Sequence, residues 1–220
     1  MGDRADFDNV AWDRNDLAWE ESQKSFRSFS TLRKMESFVS KKFRKTATWV
    51  KPFRIGGYNN LYQMKIEELD NYVFLRLPQP NMVMFPDEKI LAEAATENFI
   101  VQNTQIPVPR VLFHGVSSLD LDSDPDSDIG PYIIIQHVEN CNDISEVLHL
   151  PNEKHPDANH MLNPNISEDI LESFYGKIAV HLLQLFKPSF PRIGVLAQTG
   201  ENTFEVAGRP ITQNMNSMLQ

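Results

Sequence analysis

The chain has 220 residues, a formal net charge of −9 and 41% apolar residues, enough for one large domain or two small lobes with a real core. A lone cysteine, Cys141, excludes a disulfide framework and a thiolate metal site, and no apolar run has the length of a membrane span. The acidic balance argues against nucleic acid as a partner, and a first stretch without an apolar core argues against secretion.

In chain order, residues 1–21 read as a polar leader with seven acids and two bases. Residues 22–50 form a basic amphipathic helical segment. Phe26, Phe29, Leu32, Phe38, Val39 and Phe43 lie on one stripe, and ten Lys or Arg fall between residues 24 and 54. Its Ser/Arg/Phe content has the flavour of a mitochondrial transit peptide, but the acids that precede it favour a cytoplasmic chain. Pro52 is expected to separate this segment from the first strand.

That strand begins at Phe53. Gly56 and Gly57 are expected to make a tight turn at positive φ, with Asn59 and Asn60 supplying polar turn chemistry. Residues 61–66 return as a second strand and 72–77 form a third, ended by Pro78 and Pro80. Asp87 is an expected N-cap for a helix over 88–102 that turns Ile90, Leu91, Ala94, Ala95 and Phe99 to a core. Pro107 and Pro109 impose an extended entry to a strand over 110–115, and the β-branched run 132–138 is a buried strand. A helix starts over 143–148, a Pro/Asn/His-rich loop fills 149–166, Ser167 caps an amphipathic helix over 167–186, and a small hairpin occupies 193–208. This order, three strands, a helix, two strands and a helix, is that of an α+β chain: a small mixed sheet with one crossing helix, then the start of a helical region.

The turn at Gly56–Met64, the run Leu75-Arg76-Leu77-Pro78, and the spacing from Glu93 through Thr96 and Ile100 to Ile106-Pro107-Val108-Pro109 resemble the aminoglycoside-phosphotransferase-like branch of the protein-kinase-like fold, and its fungal members above all. The resemblance spans about residues 50–210. It implies a kinase-like N-lobe over 51–140, with a mainly antiparallel five-stranded sheet and one crossing helix, and a partial helical C-lobe over 141–220. It also implies an ATP site. Backbone N–H groups of Gly56, Gly57, Tyr58, Asn59 and Asn60 would approach phosphate oxygens. Arg76 would hold the α- and β-phosphates, Glu93 would aim Arg76, and Gln136, His137 and Val138 would meet adenine at the lobe connector.

Phosphoryl transfer in this family needs a His-x-Asp-x-x-x-x-Asn loop and a later acidic strand for Mg²⁺, both beyond the helix that 167–186 represents. His155-Pro156-Asp157 mimics half of that loop but has Leu162 where Asn is needed. Asp120, Asp122, Asp124, Asp126 and Asp128 alternate like a calcium loop, but Pro125 and Pro131 stand at the glycine and glutamate positions. The expectation is therefore the nucleotide lobe of an ATP-dependent phosphotransferase, ending before its catalytic loop and inactive by itself, with no catalytic and no metal residues assigned. The alternative is a non-catalytic, pseudokinase-like binding or regulatory module, with a protein partner covering the exposed lobe face. The phosphate acceptor belongs to the other lobe and is not indicated by these residues.

Overall fold

The computed structural model describes residues 5–80, 82–116, 129–139, 148 and 162–210, with side chains of the first helix described at Asp13 and from Asp16 onward. Cys141, the aspartates of 120–128, His155–Asp157, all but the last residue of the helix start over 143–148 and most of the 149–166 loop lie outside the described residues. The described elements are α1 (Ala5–Phe26), α2 (Phe29–Phe43), β1 (Ala47–Ile55), β2 (Asn59–Ile66), β3 (Val73–Pro78), α3 (Pro86–Asn103), β4 (Val111–Gly115), β5 (Tyr132–Gln136), α4 (Glu168–Phe186), β6 (Val195–Gly200) and β7 (Thr203–Ala207). The chain divides into two units, residues 104–106 with 138–189 and all the rest.

The larger unit is built on a five-stranded sheet of order β1-β2-β3-β5-β4. Every neighbouring pair is antiparallel, as the five-stranded sheet implied by the resemblance requires and unlike the mixed sheet suggested by element order. Period-two alternation divides its side chains between two faces. Tyr62, Met64, Val73, Leu75, Leu77, Tyr132 and Ile134 pack against Met35, Phe38 and Val39 of α2. Phe74, Ile133 and Ile135 pack on the other side with Ile90 and Ala94 of α3. Burial on both faces is why β3 has five buried residues out of six, Arg76 being the half-buried one.

Four boundaries differ from the sequence reading. The acidic stretch 5–21 is helical and continuous with α1. The helical stripe of 22–50 is broken after Phe26 by Ser28, whose hydroxyl accepts from the Thr31 N–H as the α2 N-cap, and Phe29 is 76% exposed. Pro52 does not separate a helix from a strand. It lies inside β1, an edge strand, where the β1–β2 register shifts between Val50 and Arg54 and no ladder donor is required. Helix α3 begins at Pro86, where a missing N–H costs nothing, so Asp87 sits within the first turn rather than at the cap.

The β6–β7 hairpin belongs to the larger unit rather than to a helical second lobe. It is fastened to α3 by Asn98 Nδ2 donating to Gln198 Oε1 at 2.8 Å and by Phe99 against Phe204 and Phe190. Arg209 donates twice to the Glu88 carboxylate and lies 4.1 Å over the Phe85 ring. In the smaller unit, Ser167 caps α4 and Gln184 Oε1 accepts from the Gln105 N–H at 2.7 Å. No residue of α4 is buried, and its apolar face is exposed, with Ile178 at 37%, Leu182 at 49% and Leu185 at 45%. Among the described residues no helix is long and apolar enough to cross a membrane.

Candidate functional site

On β3, the pleat turns Arg76 to the α3 side of the sheet, opposite Leu75 and Leu77. Its Nη2 lies 2.8 Å from Glu97 Oε1 and 3.1 Å from Glu93 Oε2, with the guanidinium side chain 16% exposed. Glu93 and Glu97 are one helical turn apart on α3, so both carboxylates reach the same point. The pairing of Arg76 with Glu93 expected from their order is present. Glu97, which makes the shorter contact, was missed, although its spacing from Glu93 was available in the sequence.

A second cation joins them. Lys89 Nζ is 2.8 Å from Glu93 Oε1 and donates to Asn59 Oδ1 at 2.8 Å. Burial pushes the Lys89 ammonium below its ordinary pKa, and the hydrogen bond to Glu93 works against that shift. The cluster of Arg76, Lys89, Glu93 and Glu97 is thus charge-balanced and ties the start of β2 to α3. Lys89 is four residues before Glu93, an i,i+4 pair legible in the sequence but not used there. Arg76 Nε, Glu93 Oε2 and Glu97 Oε2 are buried with no hydrogen-bond partner, so the cluster leaves one donor and two acceptors unsatisfied, and the Arg76–Glu93 contact is an ion pair without a hydrogen bond.

The turn between β1 and β2 closes through Gly56 N–H donating to Asn59 O at 2.8 Å. Neither Gly56 nor Gly57 has the positive φ expected of them; the glycines in that region are Gly130 and Gly208. Neither φ nor local crowding therefore demands glycine at Gly57, where a Cβ would meet nothing within 4 Å. Asn60 does not point to this site. It is fully buried on the opposite face, where its Oδ1 accepts from Gln23 Nε2 of α1 at 3.3 Å. Tyr58 is half-buried, and its carbonyl accepts from the Gln79 N–H at 2.9 Å.

The connector residues are placed away from Arg76. The Gln136 N–H donates to Arg110 O and the His137 N–H to Tyr72 O, so both donors are spent inside the sheet. The His137 ring lies against Tyr72 and Phe74 at 5.8 and 5.0 Å. Val138 falls in the smaller unit.

Beside the charged cluster is a cavity of about 760 Å³, with Arg76, Glu93 and Glu97 on one wall and the hairpin residues Val195, Leu196 and Val206 on another. Its size is within the range of small-molecule pockets. Gly194 shapes the hairpin wall, since a Cβ there would lie 2.7 Å from Val206 Cγ1 and 2.9 Å from Gly208 O. Arg192, also on the lining, is occupied by the Val206 carbonyl, to which its Nε donates at 2.8 Å. Among the described residues, no three His, Cys, Asp or Glu side chains are grouped to hold a metal ion. No protein-family profile, no curated protein and no solved structure matches the chain.

Proposed function

We propose that this chain carries the nucleotide-binding lobe of an ATP-dependent phosphotransferase of the aminoglycoside-phosphotransferase-like, protein-kinase-like class. The observation that supports it best is the Arg76–Glu93 pair at 3.1 Å, a strand cation held by a carboxylate of the crossing helix. In a kinase-like lobe, that pair presents a fixed positive group to the nucleotide phosphates. The open space over Gly57 fits a phosphate ligand. Arg76 would hold phosphate oxygens, Glu93 would orient it, and the Gly57 backbone would allow close approach. The nucleotide, bound as its Mg²⁺ complex, would supply the transferable phosphoryl group. The chain has no His-x-Asp-x-x-x-x-Asn run, so the activity proposed for these 220 residues is binding without transfer.

One observation favours the second reading, a pseudokinase-like module that binds no nucleotide. The cluster's two cations already face two carboxylates and need no ligand to be neutral. Titration calorimetry of the 220-residue chain with Mg-ATP separates the two. The nucleotide reading expects saturable binding that Arg76→Ala weakens by at least tenfold, the scale of a charge-assisted phosphate contact. Equal affinity in the variant removes the role assigned to Arg76, and no binding by the parent chain selects the second reading.

A further inference from the structure

Helix α1 is joined to the glycine turn by a chain of buried polar groups. Gln79, the residue after β3, is fully buried, Asn60 is fully buried and Gln23 of α1 is 5% exposed. With the Gln79 amide in the orientation that satisfies both of its ends, its nitrogen donates to Gly56 O at 3.1 Å. Its oxygen accepts from the Trp19 indole N–H and from Gln23 Nε2. Gln23 also donates to Asn60 Oδ1 at 3.3 Å, and the Tyr62 hydroxyl donates to Phe26 O at 2.8 Å. The Gln79 backbone N–H holds Tyr58 O at 2.9 Å. One residue therefore grips carbonyls on both sides of the turn, and its side chain is itself held by α1.

Gln23 Oε1 and Asn60 Nδ2 stay buried without a hydrogen-bond partner, so the network is not fully paired; the bonds it does make would be lost in any other geometry of the turn. Peptide planarity carries that constraint into the turn. In a trans peptide, the C=O and the following N–H point in opposite directions. Fixing Gly56 O toward Gln79 turns the Gly57 N–H away from Gln79. Lys89 and Asn59 brace the next residues of the same turn from α3.

We propose that α1 is a positioning element for this turn: Trp19 and Gln23, acting through Gln79, set the Gly56–Gly57 peptide so that its N–H faces an incoming phosphate. The phosphate part of this inference rests on the nucleotide-lobe reading; the positioning part does not. Trp19 and Gln23 touch no ligand in this scheme and act only through Gln79.

The test uses the full 220-residue chain and two independent readouts. Trp19→Phe keeps an aromatic ring and removes the indole N–H, and Gln23→Leu removes the amide while keeping bulk. Trp49→Phe is the control, because the Trp49 indole N–H is buried without a partner. The first readout is amide hydrogen exchange at residues 56–59, expected to quicken about three- to tenfold in both α1 variants, the scale of one net hydrogen bond, and not in the control. The second is affinity for Mg-ATP against adenosine: ATP affinity is expected to fall by a similar factor while adenosine affinity holds, since only the phosphates meet the turn. Faster exchange with no nucleotide binding by the parent chain keeps the positioning role and removes the nucleotide reading. Unchanged exchange at the turn in both α1 variants overturns the proposal whatever the nucleotide data show, as does an equal loss of ATP and adenosine affinity.

Discussion

Replacing Arg76 by methionine should expose how much of the larger unit's stability depends on charge balance. The substitution keeps most of the aliphatic stem and removes the guanidinium that faces Glu97 at 2.8 Å and Glu93 at 3.1 Å. Lys89 then remains to compensate Glu93, and Glu97 is left as a carboxylate with no cation on it. At an effective dielectric of about 20, a pair of unit charges ~4 Å apart attract by about 4 kcal/mol, most of which offsets desolvation. Stripping one partner from a fully buried pair costs about 3–5 kcal/mol. Glu97 and Glu93 keep 22% and 34% of their side-chain surface in water, so the cost here is smaller. We expect Arg76→Met to lose about 2 kcal/mol.

Urea unfolding followed by tryptophan fluorescence measures this, since Trp19 and Trp49 both belong to the larger unit. The transition midpoint should move with little change in slope, which marks a stability change rather than a change in surface exposed. The decisive comparison is the cycle with Glu97→Gln. If the loss arises from an unpaired carboxylate, the double variant recovers part of it, with a coupling of about 1 kcal/mol or more. A loss under about 0.5 kcal/mol, within the range of ordinary surface changes, or strict additivity in the cycle, would refute the reasoning.

The same cluster makes Glu97→Gln informative for binding: with one competing carboxylate removed, Arg76 should hold Mg-ATP several-fold more tightly in calorimetry, and a weaker complex would contradict the assigned role. Gly194→Ala drives a Cβ to 2.7 Å from Val206 and 2.9 Å from the Gly208 carbonyl, whereas Gly57→Ala meets nothing within 4 Å. The first should destabilise by about 1–3 kcal/mol and the second by less than about 0.5 kcal/mol, both read by urea unfolding. The exposed apolar side of α4 should bind an environment-sensitive dye, and Leu182→Glu with Leu185→Lys should abolish most of that signal; dye fluorescence equal to the parent's would locate the apolar surface elsewhere.

The order of strands and helices was legible because it is written in local pattern: alternation over β2 and β3, a helical period over α3, β-branched residues over β5. The antiparallel ladder was less so, since element order does not say how β4 and β5 run against β3. Helix α1 was hidden because its acids mask the few residues that dock it, and the one that docks most deeply is polar: Gln23, buried among Asn60 and Gln79. No hydrophobic pattern reveals a buried amide. In the site, Arg76 and Glu93 were legible from order and spacing, and Lys89 and Glu97 could have been found from the turn-to-turn spacing on α3. Asn60 could not have been placed correctly without knowing that α1 covers the other face of the sheet. The glycine turn looked like a positive-φ hairpin because that is the usual reason for paired glycines, but neither glycine has positive φ and a Cβ on Gly57 would meet nothing.

The two faces of the sheet have different parts in this arrangement, and the difference comes from the helices that cover them. On one face α2 packs with apolar residues and α1 adds the amides that grip the turn; on the other α3 brings the charges. Residues 56–60 lie where the two systems meet: Gln79 and Gln23 hold Gly56, Tyr58 and Asn60 from behind, while Lys89 holds Asn59 from the front. Arg76 reaches the same front side from the neighbouring strand, two ladder positions from Asn59's partner Pro78. A turn braced on both sides loses little further conformational freedom when a ligand arrives, so binding there is not taxed by ordering the loop. The charge cluster sets the opposite constraint. Its cations are already matched, so an anion must compete with Glu93 and Glu97 for Arg76 rather than meet a free guanidinium. In the proposed nucleotide site, affinity would be governed by that competition, and Glu97, the carboxylate that makes the shorter contact, would be the residue whose neutralisation changes it most.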